Sequence, residues 1–127
     1  MKRWTPSAAE ANAQGMKLMQ QRDYEEAVAK FMLADLLTGH KNALYANNVG
    51  FALYKDEKYD LAVSWFQNAI KIDPQRAVAY LNLGDALAKL NRSKEARDAY
   101  AKYLDLAPNA KSASEVQRKL DALPSTP

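Results

Sequence analysis

The chain has 127 residues, the size of one domain, and its 48% hydrophobic and 26% charged residues allow a continuous core under an ordinary solvated surface. Its net charge is +3, but Lys55, Lys71, Lys89, Lys102 and Lys119 are scattered among acids, so no basic face for nucleic acid is expected. The absence of cysteine excludes a disulfide framework and a thiolate metal site, and no apolar run approaches the ~20 residues of a membrane span, so no membrane insertion is expected.

Residues 1–7 are expected to form an N-terminal extension. Met1, Lys2, Arg3 and Trp4 begin it with basic character, but no apolar stretch follows, so it is not a signal peptide as it stands. The compartment stays open: the cytoplasm is favoured, and a periplasmic or secreted location is admitted if a signal has been removed. Ser7 with Glu10 three residues on is a capping box that starts a first helix running to about Gln21. Asp23 and Glu26 have the same spacing and are expected to cap a second helix, whose apolar face holds Ala27, Val28, Phe31, Met32, Ala34 and Leu36. Residues 38–42 are a loop in which Gly39 can take the left-handed conformation that ends a helix. Further helices are predicted over Ala43 to Lys55 and Tyr59 to Ile72, the latter ended by Asp73-Pro74, and over Ala77 to Leu90 and Ser93 to Leu106, ended by Ala107-Pro108. Connections of two or three residues within each pair require antiparallel neighbours. A last helix, Ser112 to Leu123, has its own capping box in Ser112 and Glu115 and a stripe of Ala113, Val116, Leu120 and Leu123 opposite Gln117, Arg118, Lys119 and Asp121. Residues 124–127 are expected to be a frayed tail.

The helix pairs repeat. Aligned on Gly15, Gly50 and Gly84, they span Ala8 to Lys41, Ala43 to Arg76 and Ala77 to Ala110, each 34 residues long, with Asn42 left over. An alanine follows each glycine by 12 residues (Ala27, Ala62, Ala96), and an aromatic follows that alanine by four (Phe31, Phe66, Tyr100). Pro74 and Pro108 close the second and third copies. A glycine inside a helix costs about 1 kcal/mol against alanine, so three of them at one position imply close helix approach. The aromatic is expected to fill the space toward the next helix. Tyr103 stands where Ala34 and Ala69 do and should push the next helix outward, so that it meets the terminal helix.

This 34-residue period with its small, aromatic and proline landmarks resembles the tetratricopeptide repeat family over Ala8 to Ala110. The resemblance implies an all-α fold: a right-handed α-solenoid of three helix-turn-helix repeats, closed by residues 112–123 as a capping helix with a polar outer face. It further implies that the first helices of the repeats line a groove, with Asn12 and Met16 from the first, Asn47, Asn48, Phe51, Tyr54 and Lys55 from the second, and Asn82, Asp85 and Lys89 from the third, beside Ala9, Ala13, Met19, Gln20, Leu44, Val78, Leu81 and Ala88. Half of these are expected to be exposed; the alternative is that some, Met19 and Leu44 above all, are core. Asn48 and Asn82 are equivalent, and in this family an asparagine there often bonds a bound peptide's backbone; the alternative is an amide bonded to its own scaffold. Members that clamp a terminal carboxylate hold it with lysine, arginine and asparagine. Here Asn12, Val78 and Asn82 stand where lysine, lysine and arginine would be, which argues against that subclass. Lys55 and Lys89 would favour an acidic flank on a ligand, while Asp85 would tolerate a basic residue.

No catalytic constellation is visible. His40 is the one histidine and falls in a polar loop, no base stands beside a serine, and no glycine-rich loop could cradle phosphate. The expected function is a non-catalytic module, with no cofactor, that binds a peptide or partner protein. Alternatives are a self-associating scaffold forming a homo-oligomer, a secretion-type chaperone, or a regulatory part of a larger enzyme.

Overall fold

The two helices of each pair meet by placing an aromatic ring on a glycine. In the computed structural model, which describes residues 5–125, a Cβ built on Gly15 would lie 2.5 Å from the Phe31 ring, one on Gly50 2.6 Å from Phe66, and one on Gly84 2.5 Å from Tyr100. The aromatic therefore seats on the glycine of its own pair, a contact not expected from the spacing, and joins one buried cluster with residues of the neighbouring pairs. Ala27, Ala62 and Ala96 are fully buried at the same crossings. The helices that carry these contacts are α1 (Ala8–Gln20), α2 (Tyr24–Leu37), α3 (Ala43–Lys55), α4 (Tyr59–Ile72), α5 (Ala77–Lys89), α6 (Ser93–Leu106) and α7 (Ala113–Ala122), and no strand is present among the described residues. Each helix packs on its neighbour in the chain, and α3 also touches α5. The result is an all-α helical-repeat solenoid.

Ser7 caps α1 as its spacing with Glu10 predicts: the Ser7 hydroxyl accepts from the Glu10 N–H at 3.1 Å. Asn42, left over by the repeat alignment, is the cap of α3, its Oδ1 accepting from the Tyr45 N–H at 3.1 Å. The capping box expected at Asp23 and Glu26 does not form. Asp23 has φ −88°, ψ 68° and makes no side-chain cap bond, and Lys58 and Arg92, the corresponding residues of the other pairs, have nearly the same angles and no cap bond either. The preceding turn dictates that geometry. Arg22, Glu57 and Asn91 all lie in the left-handed region at φ 60–62°. The next residue's N–H then reaches back five positions, from Asp23 to Leu18, Lys58 to Leu53 and Arg92 to Leu87, at 2.9, 2.9 and 3.0 Å. These bonds satisfy carbonyls at each first helix's end and reverse the chain in one step. Gly39 takes φ 65° after α2, as expected, and His40 shares that conformation at φ 61°.

The core runs the length of the array. Phe31, Val49, Leu53, Val63, Phe66, Leu87, Tyr100, Tyr103 and Val116 form one buried cluster, and Ala46, Ala69 and Ala79 form a smaller one where small side chains meet. Tyr103 is buried and meets the terminal helix, its hydroxyl paired with that of Ser112. That contact replaces the expected Ser112–Glu115 capping box, since Ser112 has a helical backbone and makes no cap bond. Val116 is buried and Leu120 half-buried against this cluster. The chain beyond α7 was expected to fray; the Pro124 carbonyl instead accepts from Arg97 Nη2 at 2.9 Å. Residues 1–4 and 126–127, parts of the expected extension and tail, lie outside the described residues. His40 has a 61% exposed side chain, yet its Nδ1 pairs with the buried carboxylate of Asp35, so the loop is tied to α2.

Candidate binding groove

Hydrogen bonds stitch the first helices into a row. Asn48 Nδ2 of α3 donates to Asn12 Oδ1 of α1 at 2.7 Å. Asn82 Nδ2 of α5 donates to Asn47 Oδ1 of α3 at 3.2 Å. Lys119 Nζ of α7 donates to Asp85 Oδ1 of α5 at 3.1 Å. The partners are 36, 35 and 34 residues apart, about one repeat each time. By this register α7 stands in the row as a further first helix, although it carries no glycine or aromatic landmark. Asn48 and Asn82 thus each spend one donor on the scaffold, and Asn12 and Asn47 one acceptor each. Asn47 is buried at 6% exposure, so its carbonyl needs that partner.

Three cavities mark the face of this row, two of them adjoining and the third apart. The first, about 310 Å³, is lined by Met16, Met19, Phe31, Asn47, Asn48, Phe51, Val78 and Asn82. Its polar groups are the amides alone. The second, about 540 Å³, shares Met16, Met19 and Phe51 and adds Gln20, Arg22, Tyr24 and Lys55. The third, about 380 Å³, lies between Tyr54, Asp85, Ala88, Lys89, Tyr100, Lys119, Ala122 and Leu123. Met16, Asn47, Asn48, Phe51 and Asn82 line one cavity, and Lys55 lines the next. Tyr54, Asp85 and Lys89 belong to a separate hollow, and Asn12 reaches the row through Asn48. Leu44 is exposed, against the core alternative, while Met19 is half-buried.

Met16, Leu44, Phe51 and Val78 leave large apolar surface open on this face. The Lys55 ammonium sits 5.7 Å from the centre of the Phe51 ring, a cation–π contact that fixes its position. Tyr54 packs edge-on against Tyr59 at 5.4 Å, and burial, then the Asp85 charge, pushes its phenol above the usual range. Tyr100 donates to Asp85 at 2.6 Å, and burial first and that bond second push its phenol far above its ordinary value. Asp85 is thus shared by Tyr100 and Lys119.

Sequence reasoning missed Arg22 and Tyr24, which the left-handed turn swings beside the groove. It also missed Lys119, which it placed on the outer side of α7. Only the separation of Asp85 and Lys119, one period, could have shown that pair. Among the described residues no group of three or more His, Asp or Glu gathers to hold a metal, and no helix is long and apolar enough to cross a membrane.

Known proteins share this architecture. The first tetratricopeptide repeat domain of Spaghetti (RPAP3), solved bound to the HSP90 peptide SRMEEVD, superposes with a TM-score of 0.83 at 25% identity over 91% of this chain and 90% of that one. The small glutamine-rich tetratricopeptide repeat-containing protein 2 of Saccharomyces cerevisiae is 36% identical over 99 residues, covering 78% of this chain and 28% of the relative. The protein O-mannosyl-transferase TMTC3 of Homo sapiens is 35% identical over 86 residues, covering 68% of this chain and 9% of the relative. The chain thus spans less than a third of the length of either curated relative. The family model described as Tetratricopeptide repeat matches residues 42–109. With its helix pairs, its ring-on-glycine contacts and that match, the chain belongs to the tetratricopeptide repeat family.

Proposed function

We propose that this chain is a non-catalytic interaction module that receives a peptide or a partner protein's segment along the face of α1, α3 and α5. The observation that carries the reading is the coincidence of exposed Met16, Phe51 and Val78 with one apolar cavity on that face. Solvent-exposed apolar groups around a concavity gain free energy when an apolar partner covers them, and methionine adapts to irregular shapes. The RPAP3 domain, which binds an HSP90 peptide, supports the reading by its likeness. The groove differs from a carboxylate clamp because Asn12, Val78 and Asn82 stand at the cationic positions. Asn48 and Asn82 act chiefly as scaffold amides here, and the apolar side chains supply the anchor sites.

The test is affinity capture with the parent and with a Met16→Ala, Phe51→Ala double variant, both exposed positions whose loss leaves the asparagine bonds intact. Partners held by the parent should disappear from the variant while its helicity by circular dichroism stays unchanged. Equal recovery by both would move the binding site to the face of α2 and α4 or to α7.

A further inference from the structure

The apolar cavity does not end in neutral surface. It opens at Met16, Met19 and Phe51 into the second hollow, whose charged lining is Arg22 and Lys55 with no acidic side chain. Neither cation is in an ion pair among the described residues. Arg22 sits at the left-handed residue of the α1–α2 turn, and Lys55 stands over Phe51. The one carboxylate lining the three cavities, Asp85, is already matched by Lys119 and Tyr100, and Lys89 adds a further exposed cation beside it. The face therefore offers an apolar seat next to two positive charges that are in no ion pair among the described residues.

We infer that the occupant is a peptide segment with a large apolar side chain for the Met16–Phe51–Val78 cavity and side-chain carboxylates within about three residues of it, held by Arg22 and Lys55. An extended chain advances about 3.3 Å per residue, so neighbouring residues bridge adjoining hollows. Guanidinium and ammonium groups form charge-assisted bonds to carboxylates, and the low-polarity wall of Met16, Met19 and Phe51 strengthens them. No free C-terminus is required, because these cations lie at the turn after α1 and at the end of α3, away from Asn12, Val78 and Asn82. This inference rests on the groove reading above and names the chemistry of its ligand.

The experiment is selection of a phage-displayed random dodecapeptide library on the intact chain, followed by fluorescence polarisation with the enriched peptides synthesised with acetylated and amidated ends. Three proteins are compared: the parent, Phe51→Ala, and the Arg22→Asn, Lys55→Gln double variant. Asparagine is chosen at 22 because it tolerates the left-handed backbone. Enriched peptides should pair an apolar residue with Asp or Glu within three positions, lose at least tenfold in affinity with Phe51→Ala and at least fivefold with the double variant, and bind more weakly as salt rises. Peptides that need Phe51 but show no acidic enrichment, or that bind the double variant as tightly as the parent, would overturn the charge inference and leave the groove reading standing. Peptides indifferent to Phe51→Ala, or no enrichment at all, would overturn both.

Discussion

A methyl group at Gly50 has nowhere to go: its carbon would lie 2.6 Å from Phe66 Cε1, and Phe66 is itself fully buried. Alanine ordinarily gains about 1 kcal/mol over glycine inside a helix. Here displacement of a buried ring opposes that gain, at about 1–3 kcal/mol for overpacking. Gly50→Ala should therefore lower stability in chemical denaturation, and adding Phe66→Leu should restore part of the loss, because the two sites couple directly. A stabilised Gly50→Ala protein would show that the ring moves freely. The glycine and the aromatic were each visible as landmarks, but not their contact with one another. The spacing reveals that both sit on buried faces; only the packed helices show that the ring lies on the glycine. The asparagines teach the same lesson. Their type and position suited a ligand backbone equally well, and the 2.7 Å bond from Asn48 to Asn12 assigned that donor to the scaffold.

At the scale of elements, the turns between paired helices run on backbone geometry that the side chains do not announce. Glu57 holds φ 62° without being glycine, a conformation that costs an ordinary residue about 1–2 kcal/mol and that asparagine tolerates best. Glu57→Asn should be neutral or stabilising by up to about 1 kcal/mol. Glu57→Val, branched at Cβ, should destabilise by more than about 1 kcal/mol. Denaturation midpoints of the two variants check the ordering. The terminal helix is the other element with a clear consequence. Its Val116 and Leu120 cover the cluster around Tyr100 and Tyr103, and Lys119 closes the row at Asp85. Removing residues 112–127 should expose that flank and drive aggregation or dimerisation, measured by analytical ultracentrifugation; a deletion that stays monomeric and as stable as the parent would show the flank needs no cover. The stripe of α7 was legible from its period. Its start at Ser112 was legible too, but the capping bond was not, because the Ser112 hydroxyl pairs with Tyr103 and makes no cap bond.

Across the whole molecule, stability depends on pairs touching their neighbours in sequence, the behaviour of a linear array. A local perturbation at one end should then weaken that end first. The phenols supply such a perturbation at high pH. Tyr100 and Tyr54 both have folded values raised above 10.0 by burial, so the unfolded chain ionises first. Their contribution is complete below pH 10 and is lost as the pH climbs toward the folded values. Stability should hold to about pH 10 and fall beyond it, with the fall shallower in Tyr100→Phe, as followed by circular dichroism melts. A profile unaffected by Tyr100→Phe would show that the phenol ionises as easily in the folded chain as in the unfolded one.

By itself the sequence determined that this chain is a helical repeat, because a 34-residue period, apolar spacing and helix-stop residues are local properties and need no tertiary contact to be seen. The family resemblance that this period carries implied Met16, Phe51 and the asparagines as residues of one row. Tertiary structure decided what those residues are free to do. Side chains one period apart meet only when the helices stack, so the Asn12–Asn48, Asn47–Asn82 and Asp85–Lys119 bonds, and the opening of an apolar cavity onto a hollow lined by Arg22 and Lys55, were decided there.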